Sequence, residues 1–421
     1  MKVFKFGGAS IKDADGVKNL AHILRSHCDE PCVIVISALG KTTNLMEKIL
    51  ASYLEKRDNL QQLFETLKTK HLDIARELDK NNDEISVALE KIFSQLSSLF
   101  LQEPSPNYDY EYDKIVSYGE LLSTKLITIY LNQIGIQSVW VDARKIVKTD
   151  NNFREGKVNW DLSEQFIREK IQKTLSNKEI RFVITQGFIA GTEENITTTL
   201  GREGSDYSAA IIAYAMDAKS VTIWKDVAGL YNADPKFFAE AVKIDTISYE
   251  EAIELSYYGA TIIHPKTIKP LQNKNIPLFV KSFYNPSESG TIISAEQPKE
   301  TVPCYIFKRN QILITLFPKD FSFIAVQNLN EIFSILSKYK LKINIMQNSA
   351  LSFSICVDNI PQRVSLAIEE LTDKYKIKYN ENVELITVRH YTDDIVDKVV
   401  RNRKIYVEQK DRTTTQVVVR V

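Results

Sequence analysis

The sequence lacks a net charge: 54 Lys and Arg face 54 Asp and Glu over 421 residues. Without a basic excess, a dedicated nucleic-acid or anionic-membrane binder is not expected. The balance is uneven along the chain. Residues 1–300 carry 36 basic and 41 acidic side chains, a net of −5, and residues 301–421 carry 18 and 13, a net of +5. Cysteine is scarce, with four in the chain, too few for a disulfide scaffold. Cys28 and Cys32 lie near His22 and His27, but Cys32 opens the apolar run CVIVIS, a poor platform for a metal. Both are expected as buried structural thiols. No apolar run reaches the roughly 18 residues of a membrane span. The opening MKVFKFGGAS turns to glycine too soon for the apolar core of a signal peptide, so a cytoplasmic protein is expected.

Hydrophobic content of 44% and aromatic content of 10% are globular values. Buried strands are expected at 3–6, 32–37, 138–141, 181–188, 220–224 and 276–280, with amphipathic helices between them. Alternating strands and helices imply a mostly parallel sheet sandwiched by helices, with ligands at the strands' carboxyl ends. Residues 44–102 contain neither Gly nor Pro and read as an insertion of two or three long helices. Residues 285–303 are rich in Pro, Ser and Glu and make the best linker. Beyond it, strands and helices follow a βαββαβ order from about 311, and then a second, shorter unit of the same kind appears, with its last elements missing.

Two motifs carry chemistry. The first strand runs into Lys5-Phe6-Gly7-Gly8-Ala9-Ser10, where glycines let backbone N–H groups approach an anion that Lys5 also reaches. No Walker loop is present. The second runs from Thr197 to Ser208 and includes Gly201-Arg202-Glu203-Gly204-Ser205-Asp206 ahead of a helix. Its hydroxyls and free N–H groups suit phosphate, Arg202 suits a carboxylate, and Asp206 suits Mg²⁺ or a lysine.

These motifs resemble those of aspartate kinases. So do Val-Ile-Ser-Ala-Leu-Gly-Lys-Thr-Thr-Asn at 35–44, Val-Ser-Tyr-Gly-Glu-Leu-Leu-Ser at 116–123 and Ile-Thr-Gln-Gly-Phe-Ile-Ala-Gly at 184–191. Trp-Lys-Asp-Val-Ala-Gly-Leu-Tyr-Asn-Ala-Asp-Pro at 224–235 and Tyr-Gly-Ala-Thr-Ile-Ile-His-Pro-Lys at 258–266 continue the series in family order. The tail resembles paired ACT regulatory domains. The resemblance implies an amino-acid-kinase fold over 1–295, with an aspartate-side lobe to about 200 and an ATP-side lobe after it. Tandem ferredoxin-like ACT units would follow at 303–380 and 381–421.

The implied reaction transfers the γ-phosphoryl of MgATP to the side-chain carboxylate of L-aspartate, the first step toward lysine, threonine and methionine. The nucleophile is already anionic, so the chemistry needs alignment and charge neutralisation and no strong base. By resemblance, Lys5 and Asp206 are catalytic, with Asp206 also a candidate for Mg²⁺. Lys5, Gly7, Gly8, Ser37, Lys225, Asp226, Tyr231 and Lys236 would bind ATP. Thr43, Glu120, Phe188, Arg202 and Ser205 would bind aspartate, Glu120 taking its ammonium and Arg202 its α-carboxylate. His264 is read as structural.

Three positions depart from the family pattern: Glu203 replaces a glycine, Lys225 a threonine, and Thr261 a lysine that reaches the ATP phosphates. A carboxylate at 203 beside two bound anions is unfavourable unless it points away or takes a metal. In the tail, Asn344, Gln347 and Ser349 fall on the hairpin that resembles an effector site. Asn344 stands where lysine-sensitive members carry an acid, so the identity of an amino-acid effector stays open. A homodimer is implied. The competing readings are a related carboxylate or nucleotide kinase and a non-catalytic, amino-acid-sensing regulatory subunit.

Overall fold

The computed structural model describes residues 1–421 except 80–82, 237, 239, 261, 262, 299, 300 and 321. It divides into two compact units, one of 1–230, 243–253 and 262–298, the other of 231–242, 254–261 and 299–421.

Up to residue 298 the strands are β1 (Lys2–Phe6), β2 (Cys32–Ile36), β3 (Ser138–Val141), β4 (Phe182–Gln186), β5 (Ile189–Gly191), β6 (Thr197–Thr199), β7 (Val221–Lys225), β8 (Leu230–Tyr231), β9 (Lys243–Ile244), β10 (Thr246–Ser248), β11 (Leu278–Ser282) and β12 (Thr291–Ser294). The helices are α1 (Ala14–His27), α2 (Thr42–Leu54), α3 (Leu60–Leu78), α4 (Glu84–Leu99), α5 (Tyr108–Val116), α6 (Tyr118–Gln133), α7 (Ala143–Ile146), α8 (Trp160–Leu175), α9 (Gly204–Ala215), α10 (Tyr249–Tyr258) and α11 (Pro265–Asn273). Among the described residues, no helix is long and apolar enough to cross a membrane.

The first unit is built on an eight-stranded sheet in the order β10-β12-β11-β7-β1-β2-β4-β3. Every pairing is parallel except β11 with β12. The strands expected from the sequence form six of its members. A parallel sheet is covered on both faces, which is why its central strands read as unbroken apolar runs. All five residues of β2 are buried. Cys28 and Cys32 are buried free thiols. The register pairs Phe6 with both Ile36 and Trp224, so β1, β2 and β7 end side by side. That alignment brings Gly7, Ser37 and Lys225 to one edge.

The insertion forms α2, α3 and α4. On α3, Phe64, Leu67, His71, Ile74 and Ala75 are buried, and on α4 Ile85, Leu89, Phe93 and Leu96, the three- and four-residue spacing of one apolar stripe. Phe64 and Phe93 meet edge to face at 6.1 Å. His71 lies against Phe93, and burial pushes its imidazole down to about 4, so it sits here neutral. The linker expected at 285–303 contains β12, which pairs inside the main sheet. Its Lys299 and Glu300 lie outside the described residues.

The second unit holds β13 (Cys304–Pro318), α12 (Val326–Lys338), β14 (Ile343–Asn348), β15 (Phe353–Asp358), α13 (Pro361–Thr372), β16 (Tyr375–Arg389), α14 (Asp393–Val400), β17 (Ile405–Lys410) and β18 (Thr414–Arg420). One antiparallel sheet runs β14-β15-β13-β16-β18-β17. Its first half is the expected βαββαβ arrangement. In the second half, Cys304–Lys308 pairs with Leu385–Arg389, which pairs in turn with β18. The front of β13 thus supplies the strand that follows no helix in the tail's own sequence. The expected junction at 380/381 falls inside β16.

Phe93 is 1% exposed and touches both α3 aromatics, so Phe93→Ala should destabilise the first unit by about 3–5 kcal/mol. A urea denaturation midpoint unchanged from wild type would contradict this packing.

Candidate active site

The site starts at the carboxyl end of β1. Lys5 is buried, and its Nζ lies 2.6 Å from Asp206 Oδ1 on α9. Lys225, at the end of β7, places its Nζ 3.9 Å from Asp206 Oδ2. Burial alone would raise the Asp206 carboxyl, but the ammonium groups of Lys5 and Lys225 overcome it and hold the group below its ordinary value. Asp206 is therefore an anion locked between two cations.

Glycine at position 8 is a steric requirement. A Cβ there would lie 2.2 Å from the carbonyl oxygen of Ala38. The contact joins the turn after β1 to the turn after β2, and Gly40 N–H donates to the Gly8 carbonyl at 2.8 Å. Gly7 follows β1, and a Cβ there would lie 3.6 Å from Lys5 Nζ; Ser37 N–H donates to the Phe6 carbonyl.

The arm that carries Arg202 is tightly bent. Gly201 has φ +76° and Glu203 φ +54°, with Arg202 exposed between them. A left-handed non-glycine residue costs about 1 kcal/mol. At Glu203 a hydrogen bond offsets that cost: its Oε2 accepts the backbone N–H of His264 at 2.9 Å. The carboxylate thus turns away, toward the start of α11, where the His264 imidazole caps Lys266 N–H. Of the two alternatives the sequence left for an acid here, pointing away or taking a metal, the hydrogen bond to His264 N–H matches the first. Beside it, a Cβ on Gly187 would strike Ser205 Cβ at 2.6 Å, so α9 packs directly on the turn after β4. Phe188 follows with φ +69°, its N–H bonded to Ser208 Oγ and its carbonyl to Leu200 N–H.

Glu120 sits in the first turn of α6, only 2% exposed. Its Oε2 has no hydrogen-bond partner. Burial raises the group to about 8, opposed by the backbone amides of Glu120 itself and of Ala38 nearby. A buried carboxylate with an open oxygen is a site for an incoming cation. Gly119 packs on Ala38 and Thr42, so α6 abuts the same loop as Gly8. Thr43 is half-buried at the start of α2.

One cation at this loop went unpredicted. Lys70, from α3 in the insertion, donates to the Leu39 carbonyl and to Thr42 Oγ1, both at 2.9 Å. It makes no ion pair among the described residues, and burial lowers its ammonium. No sequence pattern marks it, because its partners are about thirty residues upstream in a different element.

Asp226 is exposed after β7. Tyr231 and Lys236 belong to the second unit, where Tyr231 is half-buried and Lys236 N–H bonds Asp234 Oδ1. Thr261 lies outside the described residues. Asn344 is already saturated: its Oδ1 accepts from Lys308, and its amide donates to Gln311 and Asp358. Gln347 and Ser349 are exposed, with the Ser349 hydroxyl against that of Ser352.

At the strand ends of this mostly parallel sheet two lysines meet a helix-borne aspartate, and residues 1–282 match the amino acid kinase family. The lysine-sensitive aspartokinase 3 of Escherichia coli K12 is 34% identical over 366 residues, covering 85% of this chain and 78% of that protein. A bifunctional aspartokinase/homoserine dehydrogenase 2 of Arabidopsis thaliana is 33% identical over 71% of this chain, which spans 32% of that longer relative's length. Among solved structures, E. coli aspartokinase III in complex with aspartate and ADP aligns with a TM-score of 0.83 and 27% identity, over 100% of this chain and 96% of that one. The chain belongs to the amino acid kinase family and, within it, to the aspartokinases.

Two measurements test the site. Between pH 4.5 and 8 the folded chain holds a proton on Glu120 that the unfolded chain has released, so stability falls as pH rises through that window. Glu120→Gln removes this slope, and its melting temperature should gain on wild type from pH 5 to pH 8.5; a pH-independent difference would refute the assignment. At Glu203, Ala keeps the left-handed strain and loses the acceptor, whereas Gly loses only the acceptor. Glu203→Ala should melt below Glu203→Gly, and the reverse order would show that the backbone there is unstrained.

Proposed function

We infer that the chain is an aspartate kinase, transferring the γ-phosphoryl of ATP to the side-chain carboxylate of L-aspartate and forming 4-phospho-L-aspartate. The observation that carries this is the buried Glu120 with its open oxygen, linked through Ala38 to the Gly8 turn and the Lys5–Asp206 pair. An ammonium acceptor beside a phosphate turn selects an amino acid over a nucleotide or a simple acid. The E. coli relative of known structure was solved with aspartate and ADP, which supports the same substrate pair here.

The residues divide the task by charge. Glu120 takes the substrate's ammonium, and Arg202 clamps its α-carboxylate through a forked contact. Phe188 and Ser205 border the substrate, and Thr43 bonds it from the start of α2. The reacting carboxylate is left facing the γ-phosphate. Lys5 bridges toward the phosphate, with Gly7, Gly8 and Ser37 offering backbone and hydroxyl donors. Asp206 holds the Lys5 ammonium in place. Lys225, Asp226, Tyr231 and Lys236 complete the nucleotide reading.

Mg²⁺ belongs to the same reading, as an ion held by one or two carboxylates plus substrate phosphates, although Asp206 here is paired with Lys5 and Lys225. Asp206 would hold it, and the ion would neutralise charge on the ATP phosphates. An amino-acid effector at the 344–349 hairpin and a homodimer belong to the same reading. The relative named as lysine-sensitive supports such regulation. With Asn344 saturated, contacts to an effector would fall on Gln347 and Ser349.

With ATP, Mg²⁺ and aspartate, hydroxylamine should trap an aspartyl hydroxamate, while glutamate and UMP should give no product. Lys5→Ala and Asp206→Ala should each lower kcat by about 10²–10³. Absence of hydroxamate with the wild-type protein would sink the assignment.

A further inference from the structure

Asp113 is fully buried on α5 and lies outside every motif assigned above. Its Oδ2 accepts two backbone N–H groups, from Arg154 at 2.8 Å and Thr199 at 2.9 Å. Its Oδ1 accepts the Thr199 hydroxyl at 2.6 Å. One carboxylate therefore joins three segments: α5, the 150–156 loop and β6. Burial pushes the group up to about 6 against the pull of those bonds and of the Arg154 guanidinium. Such a group is retained at a cost, which calls for a reason.

The partners indicate one. Thr199 is three residues before Arg202, and its carbonyl accepts Gly156 N–H. A Cβ on Gly201 would meet the Arg154 carbonyl oxygen at 3.1 Å, so the loop held by Asp113 braces the arm immediately before Arg202. α5 grips that loop a second way: the Arg154 guanidinium lies 4.4 Å from the Tyr112 ring and 3.2 Å from Asp109 Oδ1. At its other end, α5 passes through Ser117 into α6, whose first turn carries Glu120. The ammonium acceptor and the root of the carboxylate clamp thus stand on one frame.

We propose that Asp113 is a positioning residue that sets the distance between Arg202 and Glu120, and so fixes recognition of the substrate's α-amino and α-carboxylate groups. The inference rests on the roles assigned above to Arg202 and Glu120. An asparagine in place of Asp113 can keep its oxygen on the two backbone N–H groups and turn its N–H₂ to the Thr199 hydroxyl, which can accept, whereas an alanine leaves all three donors without their acceptor. The arm then shifts while the Lys5 end of the site stays put.

Steady-state kinetics on the full chain give the test. Asp113→Ala should raise the KM for aspartate by about ten- to hundredfold, with the KM for ATP changed by less than about twofold. In an Arg202→Ala background the same substitution should add nothing to the KM for aspartate, because the group it positions is gone. Thr199→Val removes one of the three bonds. It should move the KM for aspartate in the same direction by less, and it carries the test if Asp113→Ala does not fold. Equal rises in both KM values, or effects that multiply in the Arg202→Ala background, would overturn the proposal. A normal Asp113→Ala beside an impaired Arg202→Ala would overturn this proposal alone. A normal Arg202→Ala would overturn the reading of Arg202 and this proposal with it.

Discussion

The pairing of Lys5 with Asp206 is the constraint around which the first unit is arranged. Two charges have been taken out of water and brought to 2.6 Å. Buried ion pairs of this kind are poor sources of stability, since desolvation consumes most of the attraction. Losing either partner, however, strands a charge in a low-dielectric interior. The pair therefore dictates that β1 and α9 meet, and Gly187 and Gly8 permit the close approaches on either side of it. Lys225 adds a second cation at the same carboxylate. The result is a preorganised positive edge at the end of a sheet, ready for an anion without rearrangement.

That edge bears on the uneven charge along the sequence. Residues 1–300 are net acidic, yet the reaction proposed above joins two anions. On that proposal attraction is local, supplied by Lys5, Lys225, Lys70 and the exposed Arg202, with backbone N–H groups at the turns. Local charge of this kind is less sensitive to ionic strength than a diffuse basic face, because partly buried groups are poorly screened.

Much of this architecture was legible in the sequence, and the failures share a cause. The central strands announced themselves because parallel strands covered on both faces must be apolar throughout. The glycines at 7 and 8 and the 201–206 segment were visible because chemistry and close packing restrict those positions to few residues. Glu203 was flagged as an anomaly, but its partner, the His264 N–H, is 61 residues away and carries no signal. Lys70 and Asp113 look like ordinary members of charged helices; only the folded chain shows what they touch. β12 was hidden by its Pro- and Ser-rich flanks, and the front of β13 by a partner about eighty residues downstream. Long-range polar contacts leave no periodicity, and periodicity is what a single sequence offers.

The contact of Lys70 with Leu39 and Thr42 has a consequence for motion. The helical insertion packs into the same core as the central strands, and one of its lysines closes the turn that faces Gly8. Transient opening of α3 would release that turn as well. The amide protons of Gly40 and Thr42 would then exchange with solvent in step with those of the insertion, and not with the rigid strands beside them. Opening of the insertion would in this way set how often the turn after β2 comes undone.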